Sequence, residues 1–258
     1  MRILIANDDG IYSPGLRTLA DVARRFGQVR IVAPDVEQSS MGHAITHSRP
    51  LTIRATVIGD HEAYRVNGTP ADCVTVGVAD WGKVDVVLSG INLGANLGNS
   101  VWHSGTLAAA KQAPLLGLRG IALSTPVTSD QPDFAALIPW IERVLDCLLT
   151  QDGCPLVNVN FPPEPRGIRW TRQSVRHYDG KVVPGQDPRG RPHFWITTAP
   201  IEAPEEDTDR WAVEHGWIAL TPLRLDLTDH AALATAACPD RADLSPPRPA
   251  AAPTDRLT

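Results

Sequence analysis

The 258-residue sequence lacks the segments on which membrane and secreted proteins depend. No apolar run approaches the roughly 20 residues that a helix needs to cross a bilayer. The apolar segment that follows Met1 and Arg2 is also too short for the core of a signal peptide. We therefore expect a cytoplasmic protein that has no membrane partner.

Cysteine and basic charge are also scarce. Cysteine occurs four times and in no spacing typical of a zinc site, so we expect reduced thiols at Cys73, Cys147, Cys154 and Cys238. Lysine and arginine number 24 against 29 aspartate and glutamate, which gives a net charge of −5. A nucleic-acid polymer is therefore not an expected partner, because phosphate backbones bind to basic surfaces. A small anion can still bind at a local site.

Apolar strands alternate with helical patterns over residues 1–161. Strands are predicted in "RILIA" (2–6), "VRIVA" (29–33), "VDVVLSG" (84–90), "GIALS" (120–124) and "LVNVNFP", with a hairpin formed by "LTIRA" and "AYRVN". Helices are predicted after the capping residues Ser13, Thr69 and Ser104 and in "PDFAALIPWIERVLDCLL". This alternation predicts an α/β fold with a Rossmann-like, doubly wound, mostly parallel sheet.

The pattern changes at Pro162. The segments "IRWTRQ", "HFWITT" and "GWIALTPL" are typical of strands, and charged loops rather than helices separate them. We predict that residues 162–238 form an extension of the same domain, with a β-hairpin and a final strand or helix. Residues 239–258 are rich in proline, alanine and charge, and they predict a disordered tail.

Two adjacent carboxylates, Asp8 and Asp9, follow the first predicted strand. Ligands of a doubly wound sheet bind at the carboxyl ends of its strands. If "VDVVLSG" lies beside the first strand, these carboxylates face the glycine-rich loop "SGINLGANLGNSVWHSGT". The helix that begins at its end offers free N–H groups and the positive end of a dipole, which suit an anion. A divalent cation that joins the carboxylates to a phosphate would connect the two sides.

Each of these features also has a simpler interpretation. Asn-Asp-Asp-Gly is a common turn sequence, and the loop matches neither the Walker nor the dinucleotide-binding pattern. His103 is a candidate proton donor, but a histidine before a helix is as compatible with an ordinary surface position. His43 and His47 lack further ligands at zinc spacing, so they are poor zinc candidates.

Several blocks of the sequence, taken together, resemble the SurE family of stationary-phase survival proteins, which are metal-dependent 5′/3′-nucleotidases. The resemblance covers about residues 1–225 and rests on "NDDG", "VAPDVEQSSMGHAIT", "NGTPADCV", "SGIN", "HSGT", "LVNVNFP", "TRQS" and "DTDRWAVEHGWIALTPL". It implies that one divalent metal ion per subunit is bound by Asp8, Asp9, Ser39 and Asn92. It also implies phosphate binding by Asn96, Ser104, Gly105 and Thr106, and a homodimer or homotetramer built by exchange of the C-terminal extension.

The chemistry of these residues agrees with a hydrolase. Two carboxylates, a hydroxyl and an amide are hard oxygen donors, which favour Mg²⁺, Mn²⁺ or Ca²⁺ over Zn²⁺, and we expect Mg²⁺ or Mn²⁺. We predict a phosphomonoesterase that acts on nucleoside 5′-monophosphates, with 3′-monophosphates and short polyphosphate as further candidate substrates. Asp8 or Asp9 is the candidate base, and His103 or solvent supplies the proton for the leaving oxygen.

Two other protein classes share the opening pattern. A haloacid-dehalogenase phosphatase needs a nucleophilic aspartate where this sequence has Asn7, so an aspartyl-phosphate route is not expected. A non-enzymatic, magnesium-binding receiver domain needs a phosphoacceptor aspartate at the end of the third strand, where Ser89 and Gly90 stand. The receiver domain is the alternative function, although this chain is about twice as long as such a domain.

Overall fold

The computed structural model describes residues 1–127, 134–150, 153–175, 179–199 and 204–236. The chain divides into two compact units, Met1–Leu225 and Asp226–Thr258. The predicted tail, 239–258, lies outside the described residues, as does Cys238. Among the described residues, no disulfide joins Cys73, Cys147 or Cys154. Within the described ranges, no helix is both long enough and apolar enough to cross a membrane.

The first unit is built from strands and helices in alternation. Its strands are β1 (Arg2–Ala6), β2 (Gln28–Pro34), β3 (Ile53–Ile58), β4 (His61–Val66), β5 (Val86–Leu93), β6 (Arg119–Thr125), β7 (Leu156–Asn160), β8 (Gly167–Trp170), β9 (Asp179–Gln186), β10 (Pro192–Ala199) and β11 (Trp217–Pro222). Its helices are α1 (Pro14–Ala23), α2 (Pro70–Trp81), α3 (Gly105–Leu115), α4 (Ile138–Thr150) and α5 (Asp209–Glu214). Short 3₁₀ turns cover Gly98–Trp102 and Ala135–Leu137, and α6 (His230–Thr235) belongs to the second unit.

Nine of these strands form one sheet in the order β3-β4-β2-β1-β5-β6-β7-β11-β8. The six strands from β4 to β7 in this order are parallel, while β3 pairs antiparallel with β4 and β11 pairs antiparallel with β7. The predicted doubly wound, mostly parallel sheet is therefore confirmed. The predicted hairpin of "LTIRA" and "AYRVN" is β3 and β4, at one edge of this sheet.

Strand β1 shows why the central strands of the sheet carry consecutive apolar residues. Ile3 and Ile5 pack in one core cluster, with residues of α1 and α4, and Leu4 and Ala6 pack in a second cluster on the opposite face, with residues of α2 and α3. Successive side chains of a strand point to opposite faces, so helices on both faces bury Ile3, Leu4, Ile5 and Ala6. Because both faces of the sheet are covered by helices, the strand ends at Ala6, before the charged residue Asp8.

The helix starts follow the capping chemistry of the sequence. Pro14 and Pro70 occupy the first helical positions of α1 and α2, where a missing N–H costs nothing. Thr69 and Asp72 form a capping box, because Asp72 N–H donates to Thr69 Oγ1 (3.1 Å) and Thr69 N–H donates to Asp72 Oδ2 (2.9 Å). Helix α4 begins later than the sequence pattern predicts, after the Ala135–Leu137 turn.

The extension after Pro162 contains the predicted strands and also a helix that the pattern did not predict. Strands β8 and β11 join the large sheet, and β9 and β10 form a separate antiparallel hairpin. Helix α5 stands before β11, where the sequence pattern predicted a charged loop. Its six residues are too few to show a helical period in the sequence. The only sequence feature that indicates this helix is the N-cap Thr208, which accepts a hydrogen bond from Trp211 N–H (3.2 Å).

Candidate active site

The two halves of the predicted site meet because β1 and β5 are neighbours. They pair in parallel, with Ile5 opposite Leu88 and Ala6 opposite Ser89. Asp8 and Asp9 follow β1 directly, and Asn92 lies near the end of β5. The carboxyl ends of parallel strands share one edge of a sheet, so these three side chains come from the same edge.

A cavity of about 590 Å³ opens at this edge. It is lined by Asp8, Ser39, Ser40, Asn92, Leu93, Gly94, Ala95, Asn96, Ser100, His103, Ser104 and Ile196. Five of the eight predicted site residues are among these, and so is the candidate proton donor His103. The cavity is large enough for a small organic ligand.

The other three predicted residues contact the lining directly. The Asp9 carboxylate accepts a hydrogen bond from the N–H of Leu93 at 3.3 Å. The Thr106 hydroxyl donates to Asp8 Oδ1 at 2.7 Å. Gly105 packs against the same carboxylate, since a Cβ at this position would lie 2.7 Å from Asp8 Cβ. The structure thus brings all eight residues into one region.

The pKa values of both carboxyl groups of the acidic pair are raised. Asp8 is only 4% exposed, and burial raises the pKa of its carboxyl, an effect that hydrogen bonds from Thr106 partly offset. Burial and then the neighbouring Asp8 charge raise the pKa of Asp9 to about 7. Among the described residues, neither carboxylate takes part in an ion pair. A buried and a half-buried carboxylate without a cationic partner fit a divalent cation, which would balance both charges.

The neutral donors of the predicted set also fit a metal ion. Asn92 Nδ2 donates to the Gly94 carbonyl at 2.6 Å, which leaves Asn92 Oδ1 as a ligand. Ser39 Oγ donates to Glu37 Oε1 at 2.6 Å and keeps its lone pairs. In the described part of the chain, no three His, Cys, Asp or Glu side chains are grouped as a metal site, so a cation here depends on these neutral oxygens.

The start of α3 faces the acidic pair. Ser104 is the N-cap, and its Oγ accepts the Leu107 N–H at 3.0 Å, which leaves the Ser104 hydroxyl proton free to donate. The next residue is Gly105, and only glycine fits there because any side chain would meet Asp8. The positive end of the α3 dipole therefore lies against the carboxylates and the cavity.

Comparisons with known proteins agree with this geometry. Residues 3–180 match the family model described as "Survival protein SurE". The chain belongs to the SurE family. It is 46% identical over 237 residues to 5′-nucleotidase SurE 1 of Thermus thermophilus, which covers 89% of this chain and 94% of the relative. It is 44% identical over 236 residues to 5′-nucleotidase SurE of Deinococcus radiodurans, with 88% of each chain covered.

A solved structure also matches. The crystal structure of the SurE protein from Aquifex aeolicus superposes with a TM-score of 0.79 at 36% identity, and the match covers 91% of this chain and 97% of that one. The SurE resemblance is thus confirmed, and the receiver-domain alternative is not supported.

Five buried or half-buried polar residues hold the glycine-rich loop of this SurE chain, and the sequence patterns did not identify them. Ser124, Asn158 and Asn160 bond to Asn96, and Gln173 and Asp209 bond to Gly98. A signal was present, since two asparagines at alternate positions of the apolar segment "LVNVNFP" are unusual in a buried strand. Asp209 gave no such signal, because it stands in a charged segment.

Proposed function

We propose that this chain is a metal-dependent phosphomonoesterase that hydrolyses nucleoside 5′-monophosphates to nucleoside and phosphate. The curated SurE relatives are named 5′-nucleotidases. The observation that carries the proposal is the pair formed by buried Asp8 and half-buried Asp9, which has no cationic partner among the described residues and borders a cavity against the start of α3. That combination suits a phosphate ester together with a divalent cation.

One Mg²⁺ or Mn²⁺ ion per subunit is proposed as the cofactor, with Asp8, Asp9, Ser39 and Asn92 as its ligands. Ser40 also lines the cavity, but its backbone has a φ of 61°, a left-handed conformation that is uncommon for a residue other than glycine. When bound, the ion supplies Lewis-acid polarisation of a phosphoryl oxygen and lowers the pKa of a coordinated water.

The phosphate is proposed to lie against Asn96, Ser104, Gly105 and Thr106. Ser104 can donate its free hydroxyl proton, and the first turn of α3 adds backbone N–H groups and the positive dipole end. Asp8 or Asp9 accepts the proton of the attacking water, and His103, which lines the cavity, supplies a proton to the leaving oxygen. Nucleoside 3′-monophosphates and short polyphosphate remain further candidate substrates.

A homodimer or homotetramer is proposed as the assembly, formed through the β9–β10 hairpin. Phe194 and Trp195 on β10 are exposed, at 67% and 66%. Ile196, at 79%, is exposed too, and it also lines the cavity, so this hairpin places an apolar surface beside the site. A cytoplasmic location is proposed as well, supported by the lack of a disulfide among the cysteines of the described residues.

A substrate panel tests the proposed function. Purified protein is stripped with EDTA and assayed for phosphate release from nucleoside 5′- and 3′-monophosphates, polyphosphate and a simple phosphate ester. We expect activity on 5′-monophosphates that disappears in EDTA and returns with Mn²⁺ or Mg²⁺. Full turnover in excess EDTA would refute the metal-dependent mechanism, and no turnover of any nucleotide would refute the substrate class.

A further inference from the structure

A group of buried polar side chains lies beneath the cavity, on the side of β6 and β7. Asn96 is 7% exposed, and Thr106, Ser124, Asn158 and Asn160 are fully buried. Burying an amide or a hydroxyl in an apolar core costs free energy unless the group is hydrogen-bonded. These five residues are bonded to one another, so they form one network, which we name the asparagine network.

The side chain of Asn160 bonds to both the N–H and the carbonyl of Asn96, as the backbone of a neighbouring strand would. Asn160 Oδ1 accepts the Asn96 N–H at 2.8 Å, and Asn160 Nδ2 donates to the Asn96 carbonyl at 3.1 Å. Asn158 Nδ2 donates to the same carbonyl at 2.8 Å. Because side chains of β7 satisfy both backbone groups of Asn96, this loop residue is fixed on the sheet.

The hydroxyl and amide protons of Thr106 and Asn96 determine which group donates in each of the remaining hydrogen bonds of the network. The contact of Thr106 Oγ1 with Asp8 Oδ1 is 2.7 Å, and an ionised carboxylate can only accept, so the single Thr106 hydroxyl proton points to Asp8. The 3.3 Å contact between Asn96 and Thr106 must then be donated by Asn96 Nδ2. The other amide proton of Asn96 points to Ser124 Oγ at 2.8 Å.

This arrangement uses both amide protons of Asn96 inside the network. The side chain of Asn96 therefore supports Thr106 and, through Thr106, the carboxylate of Asp8. The connection from Asn160 to Asp8 is continuous: Asn160 bonds to Asn96, Asn96 to Thr106, and Thr106 to Asp8.

We propose that Asn160 is a positioning residue that fixes the orientation of the Asp8 carboxylate through Asn96 and Thr106. The proposal rests on the function proposed above, because it assigns to Asp8 the role of a metal ligand. The bond from the Thr106 hydroxyl to Asp8 Oδ1 restrains the rotation of the carboxylate about its Cβ–Cγ bond. Residues that orient a metal ligand in this way commonly affect metal affinity or activity by about 10- to 100-fold.

The test compares two substitutions in the same buried strand. Asn160→Ala removes the bonds to Asn96, whereas Val159→Ala removes a fully buried apolar group whose neighbours lie in the core cluster on the α1 and α4 side. Mn²⁺ affinity is measured by isothermal titration calorimetry on EDTA-stripped protein, and kcat and KM are measured for a nucleoside 5′-monophosphate. Melting temperature reports the loss of stability in each variant.

We expect Asn160→Ala to lose about 10-fold or more in Mn²⁺ affinity and in kcat, with a smaller change in KM. Val159→Ala should keep both within about twofold at a comparable melting temperature. Wild-type Mn²⁺ affinity and kcat in Asn160→Ala would overturn the proposal. Equal losses in the two variants would also overturn it, because they would show that destabilisation of β7 alone is the cause.

A second pair of substitutions tests the bond at the other end and does not depend on the folding of Asn160→Ala. Thr106→Val keeps the shape and removes the hydroxyl, and Thr106→Ser keeps the hydroxyl. We expect Thr106→Val to lose Mn²⁺ affinity and Thr106→Ser to restore most of it. Unchanged affinity in Thr106→Val would overturn the proposal. If wild-type protein itself neither binds Mn²⁺ nor hydrolyses nucleotides, the proposed function fails, which is a distinct result.

Discussion

At the scale of single residues, the site depends on two carboxylates that the fold buries side by side. Burial and mutual repulsion both disfavour the ionised pair, and this is reflected in the pKa of Asp9, which is raised to about 7. Among the described residues, a hydrogen bond from Thr106 to Asp8 and one from Leu93 to Asp9 partly offset this cost of ionising the pair. In the proposed function a cation completes the balance, and Asn92, the proposed neutral ligand, sets the position of that cation.

Asn92→Ala tests this positioning role. The variant removes a neutral oxygen and leaves both carboxylates, so the metal should still bind, but more weakly and with its water misplaced. We expect a higher Mn²⁺ requirement and a maximal rate that excess Mn²⁺ restores only in part. The assay is phosphate release against Mn²⁺ concentration.

Asn99→Ala is the matched control, since Asn99 lies in the same loop but outside the set of proposed ligands. It should keep the Mn²⁺ requirement of the wild type. Equal losses in the two variants would instead attribute the effect to the loop as a whole. A wild-type metal response in Asn92→Ala would remove Asn92 from the site.

At the scale of elements, the adjacency of β1 and β5 and the start of α3 build the site. The apolar runs and capping residues were sufficient to predict the strands, the parallel sheet and the helix after Ser104. The asparagine network was not predictable from periodicity, because Asn158 and Asn160 interrupt an apolar strand and their partners lie 62 and 64 residues away at Asn96. Such long-range hydrogen bonds leave no local pattern in the sequence.

Gly105→Ala tests the contact between α3 and β1. The added Cβ would lie 2.7 Å from Asp8 Cβ and 2.9 Å from Asp8 Oδ2, so the carboxylate or the helix start must move. We expect Mn²⁺ affinity and activity to fall by about 10-fold or more. Calorimetric titration with Mn²⁺ measures this loss, and circular dichroism confirms the fold.

The control for that substitution is Thr69→Ala at the start of α2. It removes the cap of the neighbouring helix on the same face and should cost about 1 kcal/mol of stability. Its Mn²⁺ affinity should remain that of the wild type. If Gly105→Ala binds Mn²⁺ as tightly as the wild type does, the helix start does not constrain Asp8.

At the scale of the whole molecule, the hairpin of β9 and β10 stands apart from the large sheet and carries exposed apolar residues. A monomer would leave these side chains in water, whereas a second copy of the chain can cover them. The sequence pattern predicted a strand in "HFWITT", but the prediction of an oligomer rested on the family resemblance alone. A single sequence does not show which apolar residues the rest of its own chain leaves uncovered.

Phe194→Ser with Trp195→Ser tests the role of the hairpin. The double variant removes apolar surface that is exposed in the single chain, so the melting temperature of the monomer should change little. We expect light scattering after gel filtration to show a shift from dimer or tetramer to a smaller species. Val57→Ser, on exposed β3, is the control and should keep the wild-type mass. A wild-type mass in the double variant would move the interface elsewhere.

The central claim, that the Asp8–Asp9 pair holds one divalent cation, is tested most directly by calorimetric titration of Mn²⁺ into EDTA-stripped wild-type protein and Asp8→Asn. The wild type should bind one ion per chain. Asp8→Asn removes one of the two charges that balance the ion, so its affinity should fall by a factor on the order of 10² or more. Equal Mn²⁺ affinity and stoichiometry in the two proteins would contradict the account.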